Sequence, residues 1–393
     1  MRGGAAVAAL ALGYVSTTET LAFALQKANI ERAHALNPND GRITAKLAEQ
    51  LATRTNPGAL NPRVARLARQ ALASEPLAVQ ALTALALDDQ LRGDPAAARS
   101  LFLHANAVSR REFATQLWLI EDTVGRGDIP GALRQYDIAL RTTRNAPEIL
   151  FPILASASAD PGIANALAGV LAARPPWGDA FVQYLATSAP DARNTARLFR
   201  VLALRRVPLP ESATANAVNS LITANAFDAA WSYYSGLRGG ADRRRSRDPD
   251  FSAHIEVPTA FDWTPVMTGA GVTASVQRTA DGGLFEFSAP STIGGTVLQQ
   301  MQMLPPGRYR IDGRSSGIEQ SRDERPYWAL VCTDGREIGR VDLPDSSQDE
   351  GRFSGTFVVG DMCPGQLLRL IARPSNRVSG TSGRIDHIQL RPL

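Results

Sequence analysis

Lysine is almost absent from this chain of 393 residues, where only Lys27 and Lys46 occur among 42 basic residues. Arginine therefore carries nearly all of the positive charge, and 38 acidic residues spread among the arginines leave a net charge of +4. A nucleic-acid-binding protein concentrates its basic residues on one face. We therefore predict no nucleic acid among the partners of this protein.

Cysteine and histidine are also scarce, with two and four residues. Structural zinc sites need four such ligands at short spacings, and the histidines here are scattered along the chain. The sequence also lacks an H-E-x-x-H motif, a Walker loop and a C-x-x-C pair. We therefore predict no metal site and no cofactor.

A catalytic constellation is missing as well. The segment Gly313–Gly317 satisfies G-x-S-x-G, and Asp342 and His387 follow Ser315 in the order of a hydrolase triad. A hydrolase needs its serine on a sharp turn between a strand and a helix, but a polar stretch that ends in a proline follows Gly317. We therefore predict that the protein is not an enzyme.

No long hydrophobic run occurs, and the apolar stretch at the start, Ala5–Val15, has eleven residues. A bilayer-spanning helix needs about twenty. Arg2 before this stretch and the small residues Ala22 and Ala24 after it fit a secretory signal. Residues 1–20 are therefore a signal peptide or the remnant of a membrane anchor, and the alternative is an ordinary alanine-rich helix.

The two cysteines bear on the same question. Cys332 and Cys363 both lie in the C-terminal third, in or near segments with strand character. If they pair, the protein belongs in an oxidising compartment such as the periplasm. The alternative is two buried free thiols that pack as small apolar residues. The apolar N-terminus favours the disulfide.

The periodicity of the chain changes near residue 240. Residues 21–237 are rich in Ala and Leu at helical spacing, whereas residues 251–393 alternate with period two between Gly, Pro and Asp turns. Between them lies a Gly/Arg-rich linker, residues 238–250. Its arginines Arg243, Arg244, Arg245 and Arg247 are either a patch for anionic lipid or polysaccharide or, as we favour, a charged hinge that stays in water.

The helical half contains a repeat of 34 residues. Gly93-Asp94 aligns with Gly127-Asp128 at this offset, and small and large apolar residues alternate on the second helix of each pair. This pattern resembles the tetratricopeptide repeat (TPR) family, which implies an α-solenoid of helical pairs. The resemblance implies inter-helix packing for Ala98, Phe102, Ala105, Ala132, Tyr136 and Ala139.

Such a solenoid implies a protein partner held on its concave face. Trp118, Trp177 and Trp231 are candidates to line that face. The alternative, which we favour for each of them, is packing inside or between repeats.

The C-terminal half contains ten short strand-like segments, which predict an antiparallel β-sandwich. The stretches LPPGRYRID (304–312) and GRIDHIQLRPL (383–393) resemble jelly-roll domains of the carbohydrate-binding-module kind. Sugar-binding members stack exposed aromatic rings on the ligand, so the resemblance implies Trp263, Tyr327 and Trp328 as candidate ligand-binding residues. The alternative for the tryptophans is the sandwich core.

The layout as a whole resembles accessory proteins of bacterial exopolysaccharide machinery. We therefore expect an α + β protein of two domains that is periplasmic, or anchored in the inner membrane and facing the periplasm. It would act as a non-enzymatic scaffold, with a protein partner on the solenoid and protein or polysaccharide on the sandwich. The second hypothesis is a carbohydrate-binding protein whose solenoid only displays the sandwich.

Overall fold

The computed structural model describes residues 2–54, 60–267, 271–279, 282–347 and 349–393. The chain divides into two compact units, Met1–Gly178 and Asp179–Leu393. Helical pairs build the first unit, and the second contains the last helices and two antiparallel sheets. The predicted fold class, an α-helical repeat region followed by a β-sandwich, is confirmed.

The described residues form fourteen α-helices. They are α1 (Arg2–Leu25), α2 (Ile30–Leu36), α3 (Gly41–Arg54), α4 (Pro62–Ser74), α5 (Val79–Leu91), α6 (Pro95–Val108), α7 (Phe113–Gly125), α8 (Ile129–Thr142), α9 (Ala146–Ala157), α10 (Pro161–Ala172), α11 (Gly178–Thr187), α12 (Ala192–Leu204), α13 (Glu211–Thr223) and α14 (Phe227–Leu237). Within the described part of the chain, no helix combines the length and the apolar character needed to cross a membrane.

Glycine and aspartate separate the two helices of each clear repeat. Gly93 and Gly127 have φ angles of +82° and +72°, the left-handed conformation that glycine adopts without strain. The following Asp94 and Asp128 cap α6 and α8, because their carboxylates accept the backbone N–H three residues further on, at 3.0 and 2.8 Å. The Gly-Asp pair therefore turns the chain between helices, as the 34-residue alignment predicts.

Small residues and one large ring occupy the crossings between helices. The six residues assigned to repeat packing are all buried: Ala98, Phe102, Ala105, Ala132, Tyr136 and Ala139. Phe102 of α6 stacks on Trp118 of α7 with ring centroids 4.4 Å apart. Thr83 and Thr115, on the first helices of successive pairs, share a buried hydroxyl hydrogen bond of 2.9 Å. Both helices of the pair α5/α6 therefore contact α7, the first helix of the next pair.

The described residues of the second unit also form ten strands. They are β1 (Thr264–Pro265), β2 (Thr273–Thr279), β3 (Gly282–Ala289), β4 (Gly295–Gln302), β5 (Gly307–Ser316), β6 (Tyr327–Cys332), β7 (Glu337–Asp342), β8 (Arg352–Val359), β9 (Gln366–Ala372) and β10 (Thr381–Pro392), with a 3₁₀ turn at Asp349–Gly351.

The strands make two five-stranded antiparallel sheets, in the orders β1-β4-β9-β6-β7 and β2-β3-β10-β5-β8. One apolar core lies between the sheets, and Trp328 and Phe357 are among its most deeply buried side chains. Period two in the sequence of β5 predicts that Tyr309 and Ile311 face inward and that the arginines beside them face water. In the structure Tyr309 and Ile311 are buried, while Arg308 and Arg310 point to solvent. Polar side chains therefore cover the outer face of the second sheet.

A bulge changes the phase of the last strand. Under strict alternation, Ile385 of β10 would share one face with the polar residues His387 and Gln389. Period two therefore does not separate the apolar from the polar residues of this strand. In the structure the register with β5 shifts between Ile385 and His387. The extra residue brings Ile385, Ile388 and Leu390 together in the core and leaves Asp386 on the outer face.

Candidate functional site

The linker of residues 238–250, here called the joining segment, is part of the sandwich. Strand β3 pairs with β10 only over Thr381–Ile385, and the joining segment lies beside the rest of β10. Ser246 N–H donates to Leu390 O at 2.9 Å, and Ile388 N–H donates to Pro249 O at 2.9 Å. The prediction that this segment stays in water is therefore wrong for its second half.

Arg247 is the centre of this attachment. Its side chain is half-buried, and its guanidinium donates to Phe261 O at 2.6 Å and to Met301 O. The guanidinium carbon lies 5.2, 5.7 and 5.5 Å from the ring centroids of Trp231, Tyr234 and Phe261. Burial lowers the pKa of Arg247 to about 10, so the group remains charged at neutral pH and is held by cation–π contacts and carbonyl groups.

The last helix and the sandwich are thus one packed body. Tyr234 of α14 contacts both Arg247 and Phe261, and Asn219 of α13 accepts the Ala260 N–H at 3.0 Å. The boundary between the two compact units, at residue 178, therefore does not coincide with the change in composition near residue 240. The physical reason is that aromatic packing across the joining segment binds α13 and α14 to the strands that follow.

A groove crosses the outer face of the second sheet and encloses about 1220 Å³. We call it the charged groove, and it is lined by Asp250, Gly282, Gly283, Leu284, Arg310, Asp312, Gly313, Arg314, Glu350, Arg352, Phe353, Ser354, Asp386 and His387. Strands β5 and β10 supply its central residues because they are neighbours in the sheet. Asp250 of the joining segment and Glu350 of the 3₁₀ turn stand beside them.

Ion pairs organise the charged groove. Arg314 donates through Nε to both carboxylate oxygens of Asp386, at 2.9 and 2.8 Å, and this contact raises the pKa of Arg314. Asp312 accepts from Arg310 at 2.5 Å and from Arg391 at 3.1 Å. Each guanidinium is about half exposed. The pairs therefore remain accessible to a ligand that enters the groove.

Two further contacts complete the groove. His387 Nδ1 lies 2.5 Å from Asp250 Oδ1, which ties the joining segment to the bulge of β10. Arg352 contacts Glu350 at 2.8 Å on the opposite side. A groove of paired cations and anions can hold a polar ligand by charge-assisted hydrogen bonds.

The aromatic residues proposed for ligand stacking lie elsewhere. Trp328 is 0% exposed and Trp263 is 7% exposed, and their rings contact each other in the sandwich core at 5.8 Å. The expectation that they form a stacking platform is therefore wrong, because neither ring can leave the core without opening a cavity.

Tyr327 is half-buried on the outer face of the first sheet. The guanidinium carbons of Arg340 and Arg373 lie 4.4 and 4.5 Å from its ring centroid. Asp342 pairs with Arg373 at 2.8 Å, which holds this cation in place. A ligand could stack on Tyr327 only after a guanidinium had moved away.

The remaining tryptophans are packed as well. Trp177 and Trp231 are buried, and Trp177 Nε1 donates to Asp137 at 2.9 Å. Trp118 is half-buried against Phe102. For Trp177 and Trp231 the packing alternative therefore applies.

The structure forms the predicted disulfide between Cys332 and Cys363. Both residues are buried in the sandwich core. This bond indicates an oxidising compartment. Ser315, the residue at the centre of the G-x-S-x-G motif, is buried within β5 and donates to Gly351 O at 3.2 Å, so its hydroxyl is occupied by a structural contact.

Sequence reasoning did not identify the charged groove. Period two correctly placed Arg310 and Asp312 on the outer side of β5, which is the available signal. The pairing of Arg314 with Asp386, 72 residues away, depends on the strand order and on the bulge in β10.

No protein-family model matches this chain, and no curated protein is similar to it in sequence. Some solved structures resemble parts of it. A tailspike protein 4 domain of bacteriophage CBA120 has 10% identity and a TM-score of 0.27, and the alignment covers 37% of this chain but only 21% of that one. The protein pilF of Pseudomonas aeruginosa has 15% identity and a TM-score of 0.28, with 58% of this chain and 94% of that chain covered.

A carbohydrate-binding module of lichenase 5A from Cellvibrio mixtus, solved with cellotriose, has 12% identity and a TM-score of 0.22. That alignment covers 34% of this chain and 98% of the module. Likenesses at these scores do not bear on activity or ligand. This chain combines stacked helical pairs with an antiparallel β-sandwich.

Proposed function

We propose that this protein is a non-enzymatic adaptor of the bacterial cell envelope. The disulfide Cys332–Cys363 supports an oxidising compartment. The apolar stretch Ala5–Val15 supports export to the periplasm or attachment to the inner membrane. An adaptor at that location would serve the assembly or export of an exopolysaccharide.

In this proposal the helical pairs of the first unit bind another protein. Stacked helical pairs present a long continuous surface whose shape does not depend on a single loop. Phe102, Trp118 and the Thr83–Thr115 bond keep successive pairs in register. Such a surface suits an extended segment or a helix of a partner protein.

The sandwich holds polysaccharide in the charged groove, and this groove is the observation that carries the proposal. It offers a volume of about 1220 Å³ lined by half-exposed guanidinium and carboxylate groups. Arg314 and Asp386 stand at its centre. Such groups orient a polar ligand through hydrogen bonds.

Capture from an envelope extract tests the adaptor. The full-length protein and its Asp386→Asn variant are immobilised, and the bound material is analysed for both carbohydrate and protein. We expect the wild type to retain both, and the variant to lose the carbohydrate but keep a protein partner. If the immobilised wild type retained neither carbohydrate nor protein, the result would contradict the proposal.

The second candidate function is carbohydrate binding alone, with the solenoid serving only for display. The defined volume of the charged groove favours it, since it is a ready site for a ligand. Carbohydrate captured without any protein partner would support this candidate over the adaptor. Treatment of the captured material with glycosidases then shows whether a retained protein was held through the glycan.

A further inference from the structure

Among the lining residues of the charged groove that the structure describes, no Phe, Tyr or Trp ring is exposed, and the imidazole of His387 is held by Asp250. Phe353 is the aromatic residue there, and it is 8% exposed. Its ring fills the space beside Gly313, where a Cβ atom would collide with it. The ring is therefore part of the wall, and stacking on a sugar face cannot supply the affinity of this groove.

The guanidinium groups of the groove are already paired with carboxylates, and the fourth lining carboxylate, Asp250, contacts His387. Each lining guanidinium in the described structure contacts a carboxylate: Arg310 contacts Asp312, Arg314 contacts Asp386, and Arg352 contacts Glu350. An acidic ligand would have to displace these carboxylates and would be repelled by them. A cationic ligand would likewise have to displace the guanidinium groups from their carboxylates and would be repelled by these groups.

A hydroxyl group fits this arrangement, because it both donates and accepts hydrogen bonds. One hydroxyl can donate to Asp386 while its neighbour on the sugar ring accepts from Arg314. Arg310 and Arg314 lie four residues apart on β5, about 14 Å along the strand. Their two ion pairs therefore extend over more than one sugar ring.

From these observations, and resting on the proposed polysaccharide binding, we propose that the charged groove selects a neutral, hydroxyl-rich glycan over an acidic one. The two central ion pairs, Arg314–Asp386 and Arg310–Asp312, bind the hydroxyl groups without a stacking ring. Specificity then depends on the positions of hydroxyl groups and not on ligand charge.

Binding of the full-length protein to a defined panel tests this inference. The neutral probes are a soluble β-glucan and a galactomannan, and the acidic probes are alginate and polygalacturonate, each at 50 and 500 mM NaCl. We expect a neutral probe to bind with less than a threefold change between the two salt concentrations. Binding to acidic polymers would instead weaken strongly with salt, because ionic contacts between exposed groups are screened.

Two variants locate the site. Arg314→Gln and Asp386→Asn should each weaken binding to the neutral probe at least tenfold, because each removes one partner of a charge-assisted contact. Arg126→Gln is the matched control, since Arg126 makes a similar half-exposed ion pair with Asp122 of α7, at 2.8 Å. Circular dichroism confirms that all three variants are folded.

The outcomes separate this inference from the proposed function. Binding of the acidic probes alone would overturn the neutral selectivity and leave polysaccharide binding intact. Failure of every probe to bind would overturn both. Equal loss of binding in Arg126→Gln and Arg314→Gln would overturn the assignment to the charged groove.

Discussion

Tyr234 donates its hydroxyl proton to Asp262 Oδ1 over 2.8 Å, which fastens the last helix to the loop that precedes the first strand. Both residues are buried. Asp262 also accepts the Thr259 N–H and hydroxyl at 2.9 and 2.8 Å. Burial and the charge of Asp262 raise the pKa of Tyr234. The hydroxyl therefore stays protonated and donates at any physiological pH.

Removal of this hydroxyl tests the attachment. Tyr234→Phe should lower the free energy of unfolding by about 1.5–3 kcal/mol, the usual contribution of a hydrogen bond to a charged group. Tyr233→Phe is the matched control, because the buried Tyr233 hydroxyl has no hydrogen-bond partner in the described structure. Urea unfolding followed by circular dichroism measures both. Equal effects of the two substitutions would contradict a specific role for the Tyr234 bond.

Arg247 should be the most sensitive arginine of the joining segment. Arg247→Met removes the hydrogen bonds to Phe261 O and Met301 O, and we expect a loss of about 3 kcal/mol or more. Arg245→Met, at an exposed site that contacts Asp242 at 3.5 Å, should cost about 1 kcal/mol or less. Thermal unfolding of the two variants gives the comparison. Similar stability of both would refute the central position of Arg247.

Packing between repeats can be tested at two adjacent residues. Phe102→Ala should cost about 3–5 kcal/mol, because it empties a fully buried site and removes the stack on Trp118. Leu103→Ala, at the neighbouring exposed position, should change stability by about 0.5 kcal/mol or less. Helical circular dichroism during heating reports on both. A large effect at Leu103 would indicate a different orientation of α6.

Glu49 should make stability depend on pH. Burial, together with a hydrogen bond to Glu112 and the charge of that residue, raises the pKa of Glu49 to about 9 from an ordinary 4.5. Between these values the folded state keeps a proton that the unfolded state has lost. Stability must therefore fall as pH rises through this range.

Glu49→Gln should remove this dependence and raise the melting temperature at pH 8 more than at pH 5. Glu121→Gln, at an exposed position on α7, should leave the pH dependence as it is in the wild type. Differential scanning calorimetry at the two pH values measures the effect. An unchanged slope in Glu49→Gln would show that Glu49 is ionised in the folded protein.

The disulfide should be visible by thiol chemistry. The protein purified without reductant and then denatured should show no reactive thiol, because the chain contains Cys332 and Cys363 and no other cysteine. Reduction should lower stability by about 3–4 kcal/mol, since the bond closes a loop across 31 residues. Two reactive thiols before reduction would contradict the bond and weaken the assignment to an oxidising compartment.

Local chemistry accounts for the parts of the fold that were predictable. The Gly93-Asp94 turn can be predicted from the sequence because glycine tolerates a positive φ and aspartate caps the next helix. The burial of Tyr309 and Ile311 between exposed neighbours can be predicted because a strand of a sandwich has one buried face. The partners of the disulfide were predictable because the chain has two cysteines, whereas the choice between a disulfide and two free thiols was decided by the structure.

The aromatic residues illustrate where this reasoning fails. A tryptophan in a strand has the same sequence signal whether its ring lies in the core or on the surface. Trp328 lies in the core because its position on β6 faces the second sheet, whereas the preceding Tyr327 faces outward. Arg247 is the opposite case: this arginine of a polar run packs against the protein because three aromatic rings from two different segments converge on it.

The sequence by itself determined the helical pairs and the change to a β-sandwich, because both depend on local periodicity. It also determined which cysteines could pair, because the chain has two. The tertiary structure alone decided that the joining segment completes the sheet beside β10 and that Arg314 meets Asp386. Those contacts depend on strand order and on one bulge. The bulge between Ile385 and His387 places Asp386 and His387 both on the outer face, and no local pattern records these two consecutive outward positions.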